Sequence, residues 1–165
     1  MALWYPRKTV AVIVEQQDNL KDPLRSRFLM VEEHGSPETL FNQPAGHLDP
    51  DESLLTAARR EALEESAWDV ELTGFLGLYH YMPREGEDSY IRSCFVARAV
   101  RHHPERALDP DIVTTHWLSL AELEQRQARL RSPLVMPVIR DYLASPCWPL
   151  DVVRTLGPPD LAGRD

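Results

Sequence analysis

Two cysteines are all this sequence holds, Cys94 and Cys147, with neither metal-site spacing nor the density of a disulfide scaffold. A reducing cytoplasm is therefore the expected compartment. No run approaches the roughly 18 consecutive apolar residues that span a bilayer. The start, Met1 to Pro6, lacks the basic and apolar regions of a secretion signal. Basic charge is also short: 18 Lys and Arg stand against 26 Asp and Glu, a formal net charge of −8. That balance argues against a nucleic acid polymer as partner, since such binding needs a basic surface to replace counterions. An anionic small molecule would need local arginines or metal cations to overturn the global sign. Repeats and low-complexity blocks are absent as well. What is present is the composition of one ordinary globular domain, 43% hydrophobic and 27% charged over 165 residues.

Lys8 to Glu15 is β-branched and apolar and predicts a buried strand. Arg27 to Glu32 predicts a second, as the hairpin partner of the first. A short strand is expected at Leu40–Gln43, longer ones at Glu71–Tyr81 and Tyr90–Val100, and a last one at Val113–Leu118. The best helix is Leu54 to Ser66, which has no Gly or Pro and one β-branched residue, Thr56. Its start has two candidates, the Asp49-x-x-Glu52 capping box and Ser53 as N-cap. Two further helices are expected near Leu120–Arg129 and Leu134–Leu143. The fold class is α+β, a mixed β-sheet with one central helix and one or two after it. Residues 1–155 form the expected domain, and 156–165 a loose tail.

The central helix carries chemistry. At about 100° per residue, Glu61, Glu64 and Glu65 share roughly 100° of arc, beside a face of Leu55, Ala58 and Ala62. Like charges at this spacing repel by roughly 0.2–0.5 kcal/mol per pair. A hard divalent cation, held by one or two carboxylates together with substrate phosphates, would remove that repulsion. Taken alone, Glu-x-x-Glu-Glu is more often a solvated acidic face. The wider spacing changes the balance. Gly46, five residues, Glu52, seven residues, Arg60-Glu61, two residues and Glu64-Glu65 is a six-position pattern. Its chance occurrence in a chain this long is on the order of one in a hundred thousand.

That pattern resembles the Nudix box, Gly-x5-Glu-x7-Arg-Glu-U-x-Glu-Glu-x-Gly-U. Two positions depart from it: Ala67 stands where the box ends in Gly, and Ala62 is small for its apolar position. Neither carries a ligand oxygen in its side chain, so altered geometry is expected and not lost activity. Asn42-Gln43-Pro44-Ala45-Gly46-His47-Leu48, Asp109-Pro110-Asp111-Ile112 and Arg131-Ser132-Pro133-Leu134-Val135 further resemble a branch of NudJ-type phosphatases. The resemblance implies an α/β/α Nudix sandwich with a mixed sheet. It implies Mg²⁺, or Mn²⁺ in its place, held by Glu61, Glu64, Glu65 and the main-chain oxygen of Gly46. It implies an Arg60–Glu52 pair that orients those carboxylates. It also implies release of phosphate from nucleoside tri- and diphosphates, hydroxymethylpyrimidine diphosphate and thiamine diphosphate. A pyrophosphatase cutting dinucleotides or sugar nucleotides internally is the alternative, and a non-catalytic ligand-sensing Nudix module a more distant one.

Glu61 is the first candidate for the catalytic base and Asp111 the second. For Asp111 a turn-forming role after Pro110 is an equal reading. Arg92, Arg131 and His47 are candidate phosphate contacts, since guanidinium forks suit phosphate oxygens, although most arginines on a small domain are surface charge. Tyr79, Tyr81, Trp117 and Phe41 could stack on a substrate ring, but strand aromatics are more often core. Trp148 could cover a pocket or anchor the tail. Cys94 is expected to be an inert strand residue. The expected state is a monomer or homodimer with a small phosphorylated substrate as its partner.

Overall fold

The computed structural model describes residues 5–16, 20–84 and 87–157; most of the expected tail, 158–165, lies outside them. Seven strands form one mixed sheet: β1 (Arg7–Glu15), β2 (Arg27–Glu33), β3 (Leu40–Asn42), β4 (Ala45–His47), β5 (Trp68–Tyr81), β6 (Tyr90–His102) and β7 (Ile112–Ser119). The helices are α1 (Leu54–Ser66), α2 (Leu120–Gln125) and α3 (Val135–Ala144). A short 3-10 turn, Gln127–Arg129, completes the stretch expected to be one helix near 120–129.

The expected hairpin of β1 with β2 needs correcting. The two are antiparallel but meet at a single register position, Glu15↔Phe28. All along its length β1 instead pairs in parallel with β6, from Arg7↔Tyr90 to Glu15↔Arg98. On its other edge β1 takes β4, with Thr9↔His47 and Val10↔Gly46. β2 turns away from β1 to pair with β7 on one edge and with β3 on the other. The segment from β3 to β4 fills the opening between the diverging strands, and that opening is where the site lies.

Both faces of the sheet are covered, so β1 alternates between two cores and reads as a continuous apolar run. Ala11 and Ile13 join Phe28, Met30, Cys94 and Val96 against Val135, Val138, Ile139 and Tyr142 of α3. Val10, Val12 and Val14 join Phe95 and Ala97 against Leu55, Ala58 and Ala62 of α1. The architecture is the expected helix–sheet–helix sandwich. Ala57, Ala58 and Ala62 are each fully buried, and these small side chains let α1 lie close to the sheet. Cys94 is likewise sealed, and burial pushes its thiol up to about 12, which makes it inert. Among the described residues no helix is long and apolar enough to cross a membrane.

Ser53 is the N-cap of α1, its hydroxyl accepting the Thr56 N–H at 3.0 Å. The rival Asp49-x-x-Glu52 box acts one turn earlier, where Glu52 Oε1 accepts the Asp49 N–H at 2.7 Å. At the other end Ala67 is left-handed, at φ 57° and ψ 24°, and donates its N–H to the Leu63 carbonyl. A left-handed Ala costs about 1–2 kcal/mol. Gly there would relieve it, but would lose about 0.5–1 kcal/mol in chain entropy and about 0.8 in methyl burial. Ala67→Gly is therefore expected to shift stability by less than about 1 kcal/mol, read from a urea unfolding midpoint. That near-balance accounts for Ala at a position where the box carries Gly.

Candidate active site

The residues of α1 that face the β3–β4 segment form one connected set, organised by Arg60. Its guanidinium forks onto Glu52, with Nε to Oε2 at 3.0 Å and Nη2 to Oε1 at 2.7 Å. The same Nη2 donates to the His47 carbonyl at 3.0 Å, which ties the helix to the end of β4. Nη1 donates to Glu61 Oε1 at 2.8 Å and to Glu64 Oε2 at 3.0 Å. The expected Arg60–Glu52 pair is thus bidentate, the strongest arrangement for these groups. Burial works against the Glu52 charge, but Arg60 and the Asp49 N–H outweigh it and hold the carboxyl below its ordinary value.

Glu61 and Glu65 sit deeper, 6% and 9% exposed. Burial raises the pKa of Glu61, with Arg60 opposing and Glu64 and Asp109 adding to the rise. Glu65 is pushed up to about 9, first by burial and then by the charges of Glu61, Glu33 and Asp109. The Ala45 N–H opposes that rise, donating to Oε2 at 2.8 Å. Two buried acids side by side are unfavourable unless protons or a cation neutralise them.

Gly46 explains itself by contact. A Cβ there would fall 2.1 Å from Glu61 Oε1, so only glycine lets β4 press against that carboxylate. Glu61, Glu64 and Glu65 together offer hard oxygen donors of the kind Mg²⁺ takes. Among the described residues no three His, Cys, Asp or Glu side chains are gathered tightly enough to hold a metal as they stand. Arg60 bridges Glu61 and Glu64, and Glu65 turns to Ala45.

A cavity of about 560 Å³ opens beside these acids, within the range of small-molecule sites. Of the residues expected from the sequence, Gly46, His47, Glu61, Glu65, Arg92, Asp111 and Arg131 line it. Arg60, Glu52 and Glu64 stand behind or beside its wall. Arg92 is 8% exposed; its Nε reaches the Thr9 hydroxyl, at 3.5 Å, and its Nη1 has no partner among the described residues. Burial lowers its pKa, the mark of a cation held without a bonded anion. Arg131 is exposed, with its Nε 3.1 Å from Glu33 Oε2. His47 is exposed too, and the atom it gives to the network is its carbonyl oxygen. Asp111 is exposed at the rim, and its carbonyl accepts the His34 N–H at 2.8 Å.

Asn42, marked in the sequence only as the start of the Asn42–Leu48 motif, also lines the cavity, 4% exposed and with an Oδ1 that has no partner among the described residues. Other lining residues carried no signal in the sequence. Glu33, Thr9 and Tyr90 reach the cavity only through strand pairing. Asp109 does not line it but adds its charge to Glu61 and Glu65, and burial raises its own pKa. Of the four aromatics proposed for stacking, only Tyr81 faces the cavity. Phe41 is buried against His116 and against the Arg129 guanidinium, which is 4.8 Å from its ring. Trp117 packs edge-on against Trp68, and Tyr79 donates to Asp141 at 2.9 Å. Trp148 anchors its segment to β5, exchanging two 2.8 Å main-chain bonds with Phe75.

Fold and site define a Nudix hydrolase. The NUDIX domain profile matches residues 5–138, and the chain belongs to that family. It is an enzyme that acts on phosphate-containing substrates. Among curated proteins it is similar to Phosphatase NudJ of Escherichia coli strain K12, 32% identical over 151 residues that cover 92% of each chain. Among solved structures it is similar to a NUDIX hydrolase from Nitrosomonas europaea, 37% identical, covering 92% of this chain and 98% of that one with a TM-score of 0.82. The NUDIX domain of Shewanella oneidensis NrtR complexed with ADP ribose shares the fold at 18% identity, covering 84% of this chain and 87% of that one with a TM-score of 0.62.

Proposed function

We propose that this enzyme uses Mg²⁺, with Mn²⁺ as a substitute, to release phosphate from nucleoside tri- and diphosphates and from heteroaromatic diphosphates. Hydroxymethylpyrimidine diphosphate and thiamine diphosphate are included in that range, and the work is assigned to the cytoplasm. One observation carries the reading: two buried acids, Glu61 and Glu65, share a cavity with a buried arginine that has an unpaired Nη1. Acids and cation would be costly there without a ligand that brings both metal and phosphate.

In this proposal Glu61, Glu64 and Glu65, with the carbonyl of Gly46, hold the metal. When bound, the ion neutralises phosphoryl oxygens and lowers the pKa of a coordinated water. Arg60, held by its fork on Glu52, keeps Glu61 and Glu64 side by side, so that small side-chain shifts would bring them to a metal. Arg92 Nη1 donates to a phosphate oxygen that has lost its water, and Arg131 leaves Glu33 to do the same from the rim. His47 is a third contact on that side. Glu61 takes the proton of the attacking water, a role helped by burial, which raises its carboxyl above the ordinary value and makes it a stronger base.

A phosphate-release panel with Mg²⁺ across nucleotides, hydroxymethylpyrimidine diphosphate and thiamine diphosphate tests this reading. Orthophosphate as product supports it, whereas two larger phosphates would assign internal cleavage. A panel with no turnover ends it. Asp111→Asn separates the two candidate bases. With Glu61 as the base, kcat falls less than about 10-fold, whereas losing a general base costs about 10²–10⁴-fold.

A further inference from the structure

We propose that Tyr81 and Tyr90 form the wall that binds a planar heteroaromatic ring of the substrate, so that its terminal phosphate points at Glu61 and Glu65. This rests on the proposed function and specifies the organic group it takes.

The strand register supplies the geometry. Tyr81 and Tyr90 are directly opposite each other on β5 and β6, and Tyr79 is opposite Arg92. No bulge interrupts that stretch, so Tyr90 and Arg92, two residues apart, project from one face of β6. Arg92 is in turn opposite Thr9 of β1, and Thr9 is opposite His47 of β4. One row across the sheet therefore runs Tyr79, Arg92, Thr9, His47, with Gly46 and Glu61 at its far end. Strand spacing sets Arg92 about 10 Å from β4, and strand rise sets Tyr90 about 7 Å from Arg92 along β6, roughly at right angles to that row. A substrate that turns at Arg92 meets the acids with its last phosphate, the unpaired Arg92 Nη1 with an inner one, and the tyrosines with its ring.

The tyrosines fit that task. Their rings are 6.5 Å apart and inclined by 30°, both line the cavity, and both stay half-buried in its wall. An aromatic cross-strand pair also stabilises a sheet, so the pair alone would decide nothing. The second observation is Arg92, whose orphaned Nη1 two residues away marks where an anion belongs. A ring-stacking wall adjoining an anion contact is what a heteroaromatic phosphate ester requires, and a bare polyphosphate makes no use of it.

Calorimetric titration in Mg²⁺ tests the idea without turnover. The probes are adenosine α,β-methylene diphosphate and methylenediphosphonate, which lacks the ring. Base–aromatic stacking predicts that the ringed analogue binds the natural protein about 10–100-fold more tightly. Tyr90→Leu and Tyr81→Leu are each expected to remove about 10-fold of that preference, leaving methylenediphosphonate within about twofold, while Tyr90→Phe restores it. Equal affinity for the two probes, no affinity for either, or leucine variants that bind the ringed analogue undiminished would each overturn the proposal. Ring-dependent binding with no hydrolysis of any substrate would instead sink the proposed reaction and leave the ring wall standing.

Discussion

Glu64→Gln lowers the metal-dependent rate at least about 100-fold while leaving the fold intact. Losing a group that merely orients a metal ligand already costs about 10–100-fold, and a direct ligand matters more. The carboxamide has nearly the shape of the carboxylate but no charge, so it is a poorer donor to a hard cation. Stability changes little, because the Glu64 side chain is 34% exposed and its bond to Arg60 can be replaced by one to the amide oxygen. A change below about 1 kcal/mol is expected for such a partly solvated pair. Glu71→Gln is the control: Glu71 is an exposed glutamate paired with Arg98, away from the cavity, and its loss leaves the rate unchanged. Phosphate release at saturating Mg²⁺, followed beside a thermal melt of each variant, measures both effects. A Glu64→Gln enzyme with full rate would take that residue out of the metal site.

The helix bearing this glutamate was legible in the sequence because its determinants are local. Leu54 to Ser66 has uninterrupted helix formers, Ser53 can cap it, and the helix has those bounds. The Arg60–Glu52 fork was expected only through the resemblance to the Nudix box, and the structure forms it between the residue ahead of the helix and the helix's second turn. Long-range pairing was a different matter. Nothing between Lys8 and Glu32 reveals that β1 prefers β6 over β2, since both partners are apolar and β-branched or aromatic. That pairing puts Arg92 beside Thr9 and Tyr90 on the cavity wall, so the same gap hid Tyr90, whereas Tyr81 was named from its residue type. Arg92 could be named a phosphate contact from its residue type, but its burial and its unpaired nitrogen belong to the register. Phe41 failed as a stacking residue for a related reason. Its neighbours His116 and Arg129 come from distant segments and pack against the ring.

Freed of divalent cations by a chelator, the protein is expected to lose stability as pH rises, with Tm falling on the order of 10 °C from about pH 6 to about pH 9. Glu65 sets the sign. Its carboxyl titrates at its ordinary value of 4.5 in the unfolded chain and is pushed up to about 9 in the folded one, by burial first and by Glu61 next. Between those values the folded state holds a proton that the unfolded state has released, so each pH unit favours unfolding by up to about 1.4 kcal/mol. The contribution is complete below the lower value and gone above the higher. Glu61 is shifted in the same direction, by burial first, so its contribution has the same sign. Glu52 and Glu32 are shifted the opposite way, so their contributions are lost only on acidification and stay flat across this window. A divalent cation binds the ionised carboxylates and displaces that proton, so Mg²⁺ raises Tm more at about pH 9 than at about pH 6. Glu65→Gln removes the ionisation while keeping the Ala45 N–H bonded, and it should flatten the metal-free profile and weaken the response to Mg²⁺ together. Thermal melts of both proteins, with chelator and with Mg²⁺ at each pH, separate these contributions. A metal-free Tm that stays level across the window would mean that Glu65 ionises freely where it lies, and the case for a cation in its place would lose its electrostatic basis.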